Sequence, residues 1–86
     1  MRQATEIYSR EFDAIFLGLP PGVQQRILTG IRELGRRLDD FPHSRLRGRP
    51  EFRLRAGDFR IIYTFDVPRN ELSLVTLGHR REVYRP

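Results

Sequence analysis

The chain has 86 residues, 16 of them basic and 11 acidic, for a formal net charge of +5 and no cysteine. That length is one domain, 1–86, whose small core neither disulfides nor a thiolate metal cage can reinforce. The start Met1–Glu6 lacks the apolar run of a secretory signal, no stretch approaches the ~18 apolar residues of a membrane span, and a cysteine-free chain fits a reducing compartment, so a cytoplasmic protein without membrane contact is expected.

Residues 3–8, Gln-Ala-Thr-Glu-Ile-Tyr, carry β-branched and aromatic side chains and predict a short strand. Ser9 is a good N-cap for a helix over about 10–18, with Phe12, Ile15 and Phe16 at i, i+3 and i+4 and Gly18 as its stop. Pro20-Pro21 suits the first turn of a second helix, where a missing N–H costs nothing. Val23, Ile27, Ile31, Leu34 and Leu38 then follow at spacings of four, four, three and four, one apolar stripe. Asp39-Asp40-Phe41-Pro42 ends it, because proline disfavours helix at the residue before it.

The period then changes from helical to alternating. Glu51-Phe52-Arg53-Leu54-Arg55 reads polar, apolar, polar, as a half-buried strand does. Phe59–Phe65 and Leu72–Leu77 predict two more strands, separated by turn residues at 56–58 and 67–70, and Glu82-Val83-Tyr84 a last short one. The order β-α-α-β-β-β predicts an α+β, two-layer fold: two N-terminal helices packed on one face of a mostly antiparallel sheet.

Charge follows the same division. Residues 1–44 hold six arginines and six acids, whereas residues 45–86 hold ten arginines and five acids, so the whole excess lies in the second half. Every basic residue is arginine, whose planar fork matches phosphate oxygens in pairs. A two-residue turn at 56–57 sets Arg53 opposite Arg60, and one at 57–58 sets Arg55 there instead. In either register Arg53, Arg55 and Arg60 share one face, while Phe52, Leu54, Phe59 and Ile61 take the face the helices need. Like charges directly opposite destabilise a bare sheet, so this face predicts an anionic ligand in preference to a merely solvated surface. Two further basic groups are weaker signals: Leu46-Arg47-Gly48-Arg49-Pro50 before the first hairpin strand, and Gly78-His79-Arg80-Arg81-Glu82-Val83-Tyr84 leaving the third. Of the two histidines, His79 is the one near these arginines in sequence. Two histidines and one adjacent acidic pair, Asp39-Asp40, give no metal-site pattern, and no metal or other cofactor is expected. Neither a glycine-rich phosphate loop nor a nucleophile elbow is present.

These four segments in this order, Leu46–Pro50, Phe52–Arg55, Gly57-Asp58-Phe59-Arg60-Ile61-Ile62-Tyr63 and Gly78–Tyr84, resemble the RelE branch of the RelE/ParE toxin superfamily over nearly the whole chain. The resemblance implies the toxin of a type II toxin–antitoxin module, a ribosome-dependent endoribonuclease that cleaves mRNA in the ribosomal A site. It implies attack by the RNA's own 2′-hydroxyl without a metal. Arg60 then stabilises the scissile phosphate, Arg80 assists the leaving group, and Tyr84 lies near the attacking hydroxyl. Arg47, Arg53, Arg55 and Arg81 are implied RNA-binding residues. The best-known members carry lysines where Arg53 and Arg55 stand, and arginine is a poor general base because it stays protonated. A histidine in the site of some branches makes His79 a secondary acid/base candidate. The implied partners are mRNA, the ribosome and a cognate antitoxin with an acidic, partly disordered segment. The ParE branch, which inhibits DNA gyrase without cleaving anything, is the alternative that the same fold would serve.

Overall fold

The structure, a computed structural model, describes residues 2–79. Its elements in chain order are β1 (Thr5–Tyr8), α1 (Arg10–Leu17), α2 (Pro21–Arg36), β2 (Ser44–Arg45), β3 (Phe52–Ala56), β4 (Phe59–Asp66) and β5 (Glu71–His79). The predicted short strand at 82–84 lies outside the described residues. Strands run in the order β1-β5-β4-β3-β2; β1 is parallel to β5 and every other pairing is antiparallel. Two helices on a mixed five-stranded sheet make an α+β fold, and β2 is the one strand that the alternation pattern missed.

Local chemistry accounts for the helix limits. The Ser9 hydroxyl accepts from the Phe12 amide at 2.9 Å, as an N-cap does. Pro21 opens α2, and α2 stops two residues short of Leu38. There the Arg37 amide turns to the Leu34 carbonyl (3.1 Å) and the Phe41 amide to the Arg37 carbonyl (2.7 Å), tightening the chain into turns. The apolar stripe still does its work beyond that point. Ile27, Ile31, Leu34 and Leu38 are all fully buried, beside Phe12 and the inward residues Ile61, Tyr63, Leu72, Leu74 and Leu77 of the sheet. Each such side chain contributes about 1.5–3 kcal/mol by leaving water.

The third long strand explains the sheet's geometry. Leu72, Leu74 and Leu77 cannot all face the helices in an unbroken strand, because faces alternate every residue. The ladder resolves this by skipping Val75: Tyr63 pairs with Leu74 and Ile62 with Thr76. This β-bulge rephases β5, so Leu77 joins Leu72 and Leu74 in the core. Ser9 secures the bulged segment, donating from its hydroxyl to the Val75 carbonyl (2.6 Å) and from its amide to the Leu74 carbonyl (3.0 Å).

A candidate RNA-binding groove on the arginine face

Between the two turns proposed at 56–58, the sheet selects Gly57-Asp58, with Ala56 opposite Phe59 and Arg55 opposite Arg60. Gly57 takes φ 61° while Asp58 does not enter the left-handed region, which is the glycine-first pattern of a type II′ hairpin turn. Direct cross-strand neighbours have Cβ atoms about 4.5–5.5 Å apart, and Arg53 stands two residues, about 6.8 Å, further along β3 on the same face. On the other side of Arg60 the ladder places Gly78, which contributes no side chain. The three arginines therefore converge, with Arg53 and Arg55 exposed and Arg60 half-buried.

They line one open groove of about 440 Å³ together with Phe41, Pro42 and Ser44. Phe41 and Pro42 come from the segment between α2 and β2, where the sequence predicts only the end of a helix, and Ser44 opens β2. β2 is only two residues long, too short to show a period, yet it pairs Ser44 with Arg53. The Arg53 Nε–H donates to the Ser44 hydroxyl at 3.2 Å, which holds the guanidinium along the groove.

The groove wall is braced by the histidine that the sequence did not single out. His43 stacks on Phe65 with ring centroids 3.8 Å apart and planes 14° apart. One ring nitrogen lies 2.8 Å from the Leu38 carbonyl and the other 2.7 Å from the Tyr63 hydroxyl. A carbonyl only accepts, so Nε2 carries the proton, and Nδ1 accepts from the Tyr63 O–H. Burial pushes the Tyr63 hydroxyl well above the usual tyrosine range, so it stays a proton donor. Tyr8 is raised as well, first by burial and then by its 2.6 Å hydrogen bond to Glu6.

The other candidates fall elsewhere. Arg47 is exposed in the loop between β2 and β3 and does not line the groove, and its neighbour Arg49 pairs with Glu51 at 3.3 Å. His79, the secondary acid/base candidate, pairs with Phe59 and packs its ring edge-on to Phe59 at 6.0 Å, on the helix-bearing face. The Val75 bulge is the cause: a strand without it would turn His79 to the side of Arg60. Arg80, Arg81 and Tyr84 lie outside the described residues. Among the described residues no three His, Asp or Glu side chains gather as a metal site requires, and no helix is long and apolar enough to cross a membrane.

The profile of the family described as "ParE toxin of type II toxin-antitoxin system, parDE" matches residues 1–84. The chain belongs to this ParE toxin family. It is thus a toxin of the RelE/ParE superfamily from type II toxin–antitoxin systems. No individual curated protein sequence matches it. Among solved structures, this ParE-family toxin is similar to a chain of the RelBE2 toxin–antitoxin complex of Mycobacterium tuberculosis at 20% identity, TM-score 0.79, covering 95% of this chain and 97% of that one. It is similar to a chain of the RelE–RelB complex of Pyrococcus horikoshii at 19% identity and TM-score 0.76, covering 95% and 100%. The isolated RelE toxin of Escherichia coli follows at 19% identity and TM-score 0.73, covering 94% and 90%. At such identities the likeness establishes the shared fold.

Proposed function

We propose that this ParE-family toxin is an endoribonuclease that cleaves mRNA in the ribosomal A site. The observation that carries the reading is the directly opposed pair Arg55 and Arg60, with Arg53 beside them in one groove. Two cations placed face to face are tolerated best where an anion bridges them, and a phosphodiester matches the guanidinium fork. An RNA strand brings its own nucleophile. Its 2′-oxygen attacks phosphorus while the bond to the 5′-oxygen breaks; one proton leaves the 2′-hydroxyl and one reaches the departing oxygen. Arg60 offsets the charge on the pentavalent phosphorus, and Arg80 and Tyr84 complete the catalytic set by resemblance. Arg53 and Arg55 hold the strand, as do Arg47 and Arg81 by resemblance. Alignment can supply about 7–11 kcal/mol of the barrier, and the ribosome is the partner that imposes it here. A cognate antitoxin with an acidic segment would neutralise the same arginines.

A second reading has its own support. The matching profile is described by ParE toxins, and on that reading the groove would be a binding surface for DNA gyrase and would cut nothing. Primer extension on a message engaged by ribosomes separates the two. The expected result is ribosome-dependent cuts inside the coding region, reduced about 10²–10³-fold in Arg60→Ala, the scale of losing one preorganised charge donor. Absence of cuts, with gyrase supercoiling inhibited instead, would replace the nuclease reading with the ParE one.

A further inference from the structure

Phosphate chemistry uses only the cationic side of the groove. Its remaining lining is Phe41, Pro42, Ser44 and Leu54, and the aromatic Phe41 with Pro42 beside it has no part in the reaction above. At about 440 Å³ the groove falls within the ~300–1,000 Å³ typical of small-molecule sites, room for a nucleotide and not only a phosphate. Phe41 is half-buried: it packs against the core and also contributes to the lining of the groove.

The wall is also preorganised. The Phe41 amide donates to the Arg37 carbonyl at 2.7 Å, and the Phe41 carbonyl accepts from the His43 amide at 2.8 Å around Pro42. That is a three-residue inverse γ-turn, whose central φ suits proline. The Arg37 guanidinium lies over one face of the Phe41 ring, 5.7 Å from its centroid, and the His43 ring packs tilted to it at 5.5 Å, so a base would use the face that Arg37 does not cover. His43 is in turn fixed by its two ring hydrogen bonds and by Phe65. Little conformational freedom is left to lose when a ligand arrives.

A rigid aromatic wall facing three arginines has a definite complement: an anionic backbone that carries flat, apolar faces. A purely acidic peptide meets the arginines but not the ring, and a duplex keeps its base faces stacked inside. Single-stranded nucleic acid satisfies both walls. We infer that Phe41 and Pro42 form a nucleobase subsite, in which one unstacked base of the RNA lies on the Phe41 ring while its phosphates rest on Arg53 and Arg55. This rests on the RNA reading of the groove and adds to it the residue that grips the base.

The test is a thermodynamic cycle read by fluorescence anisotropy on the full chain. The two probes are labelled 2′-O-methyl hexauridylate, which has no free nucleophile to be cut, and an abasic hexamer of the same backbone. The wild-type protein should bind the abasic hexamer about tenfold or more weakly, the scale of one base–aromatic stack. Phe41→Leu should lose the same factor on hexauridylate and no longer distinguish the two probes, while Phe41→Tyr behaves as wild type. Should Phe41→Leu fold poorly, Phe41→Met takes its place with the same expected loss of discrimination. Equal affinity of the wild type for both probes overturns the base subsite and leaves the RNA groove standing. Discrimination that survives in Phe41→Leu overturns it as well, by placing the base elsewhere. Failure of the wild type to bind either probe at low salt overturns the subsite, while the RNA reading itself stands or falls separately on primer extension with ribosomes.

Discussion

Tyr63 and His43 are bound to each other through a single proton, and each is buried enough that losing the partner matters. Tyr63 is fully buried, so its hydroxyl has the His43 ring as its acceptor and no water to replace it. Substituting His43→Phe keeps the ring stack on Phe65 but removes that acceptor. The expected cost is about 1–3 kcal/mol, the penalty of a buried polar group left unmade. Adding Tyr63→Phe should recover part of the loss, so the double variant is more stable than the sum of the singles; denaturant midpoints measure this. The same hydroxyl, together with that of Tyr8, weakens the fold at alkaline pH. Its ionisation is raised by burial in the folded chain and lies near pH 10 in the unfolded one. Above about pH 10 the unfolded state therefore sheds a proton that the folded state keeps, and stability falls as pH rises. The slope per proton is about 1.4 kcal/mol per pH unit, present in wild type and reduced in Tyr63→Phe, by denaturation across pH 9 to about 12.

At the scale of the elements, α2 carries a weakness that the groove does not need. Gly30 lies mid-helix, and a methyl group there would meet the Leu54 side chain at 3.6 Å, an ordinary contact. Gly30→Ala should raise stability by about 0.5–1 kcal/mol through helix propensity alone, with RNA cleavage unchanged, as thermal melts and primer extension would record. Strong periods made most elements legible in advance. The stripe from Val23 to Leu38 marked α2, and the alternation at 52–55 put Arg53 and Arg55 on one face before any register was known. What escaped was short or aperiodic. β2 has two residues and no pattern, yet it supplies Ser44 and, with its lead-in, the whole aromatic wall. Leu72-Ser73-Leu74-Val75-Thr76-Leu77 did contain the signal for a bulge, since its third leucine breaks the alternation. Reading that break would have turned His79 away from Arg60 in advance. The turn register was open because two adjacent choices both satisfied the hydrophobic pattern and both accept glycine at 57, and only the pairing of Ala56 with Phe59 separates them.

For the whole molecule, the one-sided charge sets how any polyanion is held. The excess of +5 comes entirely from the second half of the chain, and three of those arginines meet in one groove. Under the RNA reading, each phosphate they neutralise releases part of a condensed counterion. For single strands the slope of log affinity against log salt is about −0.7 per phosphate, so three contacts give roughly −2. Arg55→Gln should lower that slope by about 0.7 and weaken all sequences alike, because a phosphate contact carries no base information. The fold should respond to salt in the opposite sense. Added ions screen the mutual repulsion of Arg55 and Arg60 across the hairpin, so the unfolding midpoint holds or rises while RNA affinity drops. Measuring both on one sample between 50 mM and about 500 mM salt separates the two effects. A midpoint that falls together with affinity would mean that salt loosens the groove itself. An affinity that ignores salt would mean that the arginines face a partner held by other than ionic contacts.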